Sequence, residues 1–272
     1  MTLYPELQTN NEAFYLMSRV SIVIPVFNEG GKVSDAIKRI RGVIESYLRD
    51  YELLLVNDGS TDDTLTVLNE LASNDQQRHI RVLSYPKNSG KGYAVRYGVS
   101  HSQGDVVIYL DGDLDISPDL IKEYIEKLNT YDLVIASKRH PSSDVTVPTS
   151  RLLLSRAFNF IVNMATGIHQ TDTQVGLKVG KGDIMRRIFS NVNINRYAFD
   201  VELFTIASVL QLKVQEMPVV MKIDRQFNIK EIVNMFVDVT RICYKHKILQ
   251  MYQKELPVSL PARVENNSSH YQ

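Results

Sequence analysis

Five short β-branched runs, SIVIPV (21–26), YELLLVN (51–57), HIRVLSY (79–85), DVVIYL (105–110) and YDLVIAS (131–137), dominate the first half of this sequence. Each is followed by a segment with helical spacing, so the series reads as five βα units. Repeated βα units build a mostly parallel sheet flanked by helices, and strands covered on both faces read as continuous apolar runs, as these do. In open sheets of this kind ligands bind beyond the carboxyl ends of the strands. The residues that follow each run are therefore the first place to look for chemistry.

Those positions hold unusual residues: Asn28 and Glu29 after the first run, Asn57, Asp58 and Gly59 after the second, Asp111 and Asp113 after the fourth. In LDGDLD (110–115), two carboxylates one residue apart follow an apolar strand. Hard oxygen ligands so placed suit magnesium or manganese bridging a diphosphate. The alternative is an acidic turn capping a helix that begins near Pro118. In VNDGSTDDT (56–64), Ser60 or Thr61 is expected to cap a helix with Asp62 and Asp63 in its first turn. That leaves the Asp58 carboxylate to accept from a nucleobase or ribose. In NSGKGYAVRYG (88–98), Gly90 and Gly92 bracket Lys91 at a helix start, where backbone N–H groups and a cation can meet phosphate. Neither a P-loop nor a G-x-G-x-x-G is present, which argues against a dinucleotide oxidoreductase.

Past Pro148 the alternation gives way to helices near 150–166, 181–189, 197–211 and 229–254, with short strands near 175–180 and 213–221. No linker-like stretch separates the halves, so a single domain over 19–256 is expected. It divides into a first half (19–140), a second half (141–228) and a C-terminal helix (229–256). Residues 1–18 are expected to be flexible and 257–272 disordered.

IPVFNE (24–29), VNDGSTDDT (56–64), NSGKGYAVRYG (88–98) and DGDLD (111–115) in this order resemble the successive signatures of family 2 glycosyltransferases of the GT-A fold. TDTQVGLKV (171–179), YAFDVELFTIA (197–207) and VQEMPV (214–219) sharpen the resemblance to the polyprenyl-phosphate hexosyltransferases, which include dolichyl-phosphate glucose and mannose synthases. Tyr197 stands where the glucose synthases usually begin Trp-x-Phe. The resemblance implies an α/β GT-A nucleotide-diphospho-sugar transferase fold, with 19–140 as the nucleotide-sugar half and 141–228 as the acceptor half, and inverting transfer of a hexose, glucose from UDP-glucose or mannose from GDP-mannose, to dolichyl or another polyprenyl phosphate. It further implies that Pro25, Asn28, Glu29 and Asp58 hold the nucleoside, that Lys91 lies near the donor, and that Asp111 and Asp113 hold Mg2+ or Mn2+. Asp115 is a third candidate ligand or a helix-proximal acid. Asp172, Gln174, Asp200 and Glu202 match the second-half signatures and are expected to shape the sugar and acceptor pocket.

A lipid phosphate is ionised at neutral pH and attacks without losing a proton, so no general base is needed. Cations that bring two anions together are needed instead, and Lys138, Arg139 and Arg151 supply them, with Ser155 one turn beyond Arg151. Arg151 joins Asp111 and Asp113 as a catalytic candidate. His140 has no identified carboxylate partner and reads as a bystander. A glycan or protein acceptor would instead want a carboxylate base, for which Asp200 or Glu202 is the candidate.

Segments 149–168 and 229–254 combine apolar residues with a basic flank, a pattern that suits either the membrane interface or packing on the sheet or in a helical homodimer. No apolar stretch approaches the roughly 20 residues of a span. The chain is accordingly expected to be cytoplasmic and peripheral at the cytoplasmic face of a membrane. Lys+Arg and Asp+Glu balance at 31 each, so no overall basic field points to nucleic acid. The single cysteine, Cys243, excludes an internal disulfide and reads as a core thiol.

Overall fold

The computed structural model describes residues 18–146, 175–222 and 229–245. The strands are β1 (Val20–Val26), β2 (Tyr51–Asp58), β3 (Ile80–Tyr85), β4 (Val106–Leu110), β5 (Leu133–Ser137), β6 (Asp144–Thr146), β7 (Leu177–Lys181), β8 (Val214–Pro218) and β9 (Val220–Lys222). The helices are α1 (Gly30–Ile44), α2 (Thr64–Ser73), α3 (Lys91–Ser100), α4 (Ile121–Glu126), α5 (Gly182–Phe189), α6 (Phe199–Val209) and α7 (Ile229–Cys243).

Seven strands form one sheet in the order β3-β2-β1-β4-β7-β5-β8, and β6 pairs with β9 in a separate two-stranded sheet. All five apolar runs are strands of the large sheet, and its neighbours are parallel except where β7 runs antiparallel between β4 and β5. A strand from the second half of the sequence thus sits inside the first half's sheet, between β4 and β5. The expected strand at 213–221 divides at Val219 into β8 and β9, which belong to different sheets. After β5 the chain passes through turns into β6 rather than directly into a helix.

Alternation along the strands explains how the sheet is covered. On β1, β2 and β4, Val23, Leu54, Val56, Val107 and Tyr109 face one core with α3, α5, α6 and α7. Their neighbours Val20, Ile22, Ile24, Leu53, Leu55, Val106, Ile108 and Leu110 face the other, with α1, α2 and α4. This period of two, on strands buried on both faces, is why the runs look unbroken in sequence.

Val239 and Ile242 of α7 are buried in the first of these cores, and Cys243 packs against it. In the described part of the C-terminal segment Val239 and Ile242 thus serve packing on the domain, whereas Val237 and Tyr244 are exposed. No helix among the described residues is long and apolar enough to cross a membrane. The terminal margins beyond residues 18 and 245, and the segment 149–168, lie outside the described residues.

Candidate active site

The carboxyl ends of β1, β2 and β4 open into a cleft of about 450 Å³, walled by Pro25, Phe27 and Glu29 on one side and Lys91, Asp111 and Asp113 on another. The α3 side is built through Asp58. Its carboxylate accepts from the Tyr85 hydroxyl (2.9 Å), Asn88 Nδ2 (3.1 Å) and the backbone N–H groups of Ser89 (2.7 Å) and Gly90 (3.0 Å). A carboxylate offers about four acceptor sites, so the Asp58 carboxylate organises the 85–90 loop and is fully engaged by it. Burial, then the Asp58 charge, push the Tyr85 phenol well above its usual range, which keeps it a donor.

Gly90 caps α3 with φ +97°, and a Cβ there would meet the Asn195 carbonyl at 2.5 Å. That carbonyl accepts the Tyr93 N–H at 3.1 Å, and the fully buried Glu202 accepts the N–H groups of Asn193 and Ile194, both at 2.7 Å. The 193–196 loop is so pinned against the start of α3, and it delivers Arg196 and Tyr197 to the cleft. The N–H groups of Gly90 and Tyr93 therefore face protein acceptors, and it is the Lys91 ammonium that faces the cleft.

Lys91 Nζ lies 2.8 Å from Asp111 Oδ2, and the Tyr109 hydroxyl donates to Asp111 Oδ1 at 2.6 Å. Burial works against the Lys91 charge, but Asp111 foremost, with Asp200 and Asp113, carries its pKa above the ordinary lysine value. Burial, then Asp111 and Asp200, raise the Tyr109 phenol well above its usual value, so it too remains a donor. The Asp111 N–H donates to the Gly176 carbonyl at 2.8 Å. Only glycine fits at 176, since a Cβ would fall 2.0 Å from Asp111 Oδ2. The glycine of TDTQVGLKV thus makes room for the aspartate of DGDLD across the β4/β7 pair.

The helical turn after DGDLD, Pro118–Leu120, is capped by Ser117, whose Oγ accepts the Asp119 N–H. Neither Asp111 nor Asp113 is used as that cap. Asp115 is set apart: it lines a different depression with Arg39, Leu114 and Pro118, while its N–H donates to Asp113 Oδ1 at 3.2 Å. Among the described residues no three His, Cys, Asp or Glu side chains converge on one point.

Capping of α2 differs from expectation. The helix starts at Thr64, whose N–H donates to Asp62 Oδ1 (3.1 Å), so Asp62 and Asp63 precede the first turn. Ser60 Oγ instead accepts the Asn28 N–H (3.0 Å), and the Thr61 N–H donates to Asn28 Oδ1 (2.9 Å). The physical reason is Gly59, whose φ of +62° turns the chain so that Ser60 and Thr61 meet the β1 loop. Asn28, itself at φ +53°, braces that loop and is not part of the cleft lining.

Of the second-half candidates, Asp200 is 6% exposed and its Oδ1 lies 2.9 Å from Lys178 Nζ. Burial raises the Asp200 pKa, and Lys178 opposes that shift. Neither Asp200 nor Glu202 lines the cleft, and neither do Lys138 and Arg139, which follow β5. Arg151, Ser155, Asp172 and Gln174 lie outside the described residues. Sequence reasoning passed over Phe27, Arg196, Asn234 and Asp238 in the cleft wall and the buried Lys178. A signal existed only for Lys178, a lone lysine between Leu177 and Val179 of an apolar strand.

Fold and cleft define a class of α/β protein whose cleft opens beyond the carboxyl ends of its strands. Residues 21–191 match the family described as Glycosyl transferase family 2, and the chain belongs to that family. It is 29% identical over 238 residues to a dolichyl-phosphate beta-glucosyltransferase of Trichomonas vaginalis, covering 82% of this chain and 70% of that protein. The human dolichyl-phosphate beta-glucosyltransferase is 30% identical over 217 residues, covering 74% and 66%. Among solved structures, glucosyl-3-phosphoglycerate synthase from Mycobacterium tuberculosis, in complex with Mn2+, UDP-glucose and phosphoglyceric acid, superposes with a TM-score of 0.65 at 20% identity, covering 90% of this chain and 85% of that one. Mannosyl-3-phosphoglycerate synthase from Rubrobacter xylanophilus gives a TM-score of 0.61 at 19% identity, covering 92% and 80%. The fold is the GT-A fold, and the chain is a glycosyltransferase.

Proposed function

We propose that this glycosyltransferase transfers glucose with inversion from UDP-glucose to dolichyl or a similar polyprenyl phosphate, at the cytoplasmic face of a membrane. The observation that carries the reading is the Asp111 constellation: a strand-end carboxylate held by the Lys91 ammonium, with Asp113 beside it, in a cleft of ordinary ligand-site volume. The names of the dolichyl-phosphate beta-glucosyltransferase relatives and the UDP-glucose complex of the structural neighbour support the acceptor and the donor.

The residues fit a divalent cation, Mg2+ or Mn2+. Asp111 and Asp113 are hard oxygen donors one residue apart, neither is used as a helix cap, and Asp111 already stands against one positive charge. When bound, the ion would neutralise charge on the departing nucleoside diphosphate. We assign it to Asp111 and Asp113 and leave out Asp115, which lines a separate depression. Lys91 supplies a second cation at the diphosphate. Pro25, Glu29 and Asp58 form the nucleoside wall, and Asp58 also holds the 85–90 loop in place.

The acceptor's phosphate is already ionised and attacks in line, which gives inversion. Asp200 and Glu202, the candidates for a base towards a hydroxyl acceptor, are buried and engaged away from the cleft. This favours the phosphate acceptor, positioned by Lys138, Arg139, Arg151 and Ser155. Asp172 and Gln174 are assigned to the sugar pocket. The test is a panel of radiolabelled UDP- and GDP-sugars incubated with polyprenyl phosphate and Mn2+ or Mg2+. Label from UDP-glucose should enter the organic phase and vanish with EDTA or in Asp113→Ala. Label from GDP-mannose alone would replace the donor. Metal-dependent nucleotide binding with no lipid label would move the acceptor to a glycan or protein.

A further inference from the structure

Lys178 is 1% exposed on β7, an interior strand of the sheet. An apolar side chain would fill that place at no cost of desolvation, so a lysine there calls for an explanation. The β4/β7 register sets it directly opposite Tyr109. Its ammonium donates to the Val175 carbonyl at 2.7 Å, lies 2.9 Å from Asp200 Oδ1, and stands 5.3 Å from the centre of the Tyr109 ring. Lys91 Nζ lies 5.7 Å from the same ring, and Phe199 meets it edge-on at 6.0 Å. Two ammonium ions and one aromatic edge thus hold the Tyr109 ring, since cations within about 6 Å are drawn to an aromatic face. The hydroxyl at the end of that ring holds Asp111 Oδ1.

We infer that Tyr109, Lys178 and Asp200 are positioning residues for sugar transfer, forming a buried relay that fixes the Asp111 carboxylate in the orientation that receives the metal and diphosphate. Tyr109 fixes one carboxylate oxygen and leaves Lys91 to meet the other. The Lys178–Asp200 pair fixes Tyr109 from within the core and touches neither ligand. Asp200, matched in sequence to the sugar pocket, acts here through Lys178. The inference rests on the proposed reading of the cleft as a nucleotide-diphosphate site. Groups that orient a metal ligand from behind typically change metal affinity or activity by about 10–100-fold when removed.

The test is calorimetric binding of UDP to the full chain with and without Mn2+, with thermal unfolding followed in parallel. The variants are Tyr109→Phe, the charge-balanced double variant Lys178→Met with Asp200→Asn, and all three together. Tyr109→Phe should lower the Mn2+-induced gain in UDP affinity by about tenfold. The double variant should lower the same gain severalfold, and add little once Tyr109 is Phe, because it acts through that ring. A merely structural role would lower the unfolding temperature and leave the gain intact. An unchanged gain in Tyr109→Phe, or losses that multiply independently, would overturn the relay. Absence of any Mn2+-dependent UDP binding in the unaltered chain would instead overturn the proposed function beneath it.

Discussion

Asp58 and Asp111 stand at the carboxyl ends of parallel strands two places apart in the sheet, and their local sequences advertise them equally. Their surroundings differ in kind. Asp58 is gripped by a hydroxyl, an amide and two backbone N–H groups, donors that cannot leave without dismantling the 85–90 loop. Asp111 has one neutral donor, Tyr109, and one side-chain cation, Lys91, at the edge of the cleft. A carboxylate filled by its own chain builds a wall, whereas one held by an exchangeable ammonium can take part in binding. The two are connected in series, because Asp58 holds Ser89 and Gly90, and Lys91 follows them.

If that distinction is right, substitutions at the two positions should fail in different assays. Asp111→Asn keeps the shape and loses the charge. Sugar transfer at saturating donor should fall about a thousandfold, the upper range for removing a group that stabilises developing charge, with little change in unfolding temperature. Retention of a tenth of the rate would remove Asp111 from the chemistry. Asp58→Ala should show the reverse emphasis: orphaned donors around it should cost about 3 kcal/mol of stability, read from the urea midpoint at unchanged slope. A fully stable Asp58→Ala with lost UDP binding would make Asp58 a direct ligand contact after all.

Gly176→Ala probes the space Asp111 needs. The added Cβ falls on Asp111 Oδ2, so Mn2+-dependent UDP affinity should drop by about tenfold, on the scale of a displaced metal ligand; a smaller change than twofold would show that β7 yields freely. The smallest effect is the pH response of the Lys91 pair. Because Asp111 raises the Lys91 pKa above 10.5 in the folded protein, the pair's stabilisation is complete below that ordinary value. It is lost only as pH climbs through the higher folded-state value. Urea titrations between about pH 8 and about pH 11 should therefore show a steeper alkaline loss in the unaltered chain than in Lys91→Met. Parallel curves would mean that the pair does not form in solution.

The strand ends and the acids on them were legible in sequence because both depend on local pattern: an apolar run of period two, then a polar break. The partner of each acid was not, since partners come from distant segments. Nothing near Asp58 announces that Tyr85, Asn88 and two amides will fill it, and nothing near Ser60 and Thr61 announces that Gly59 turns them towards Asn28 rather than onto α2. The strand at Leu177–Lys181 was readable, but its antiparallel insertion between β4 and β5 was not. That insertion is what places Lys178 opposite Tyr109 and Gly176 beneath Asp111. Nor does spacing alone show that Asp115 lines a different depression from Asp111 and Asp113, where Leu114 takes a φ of +57° and the chain turns towards Arg39 and Pro118.

The most direct measurement is anomalous scattering from crystals of the protein grown with UDP and Mn2+. The account predicts a manganese peak in direct contact with Asp111 and Asp113 and with the diphosphate, the Lys91 ammonium turned from Asp111 to phosphate, and Asp58 still closed on the 85–90 loop. A manganese peak at Asp58 or Asp115, or UDP bound with Asp111 still closed on Lys91 and no metal beside it, would contradict the account.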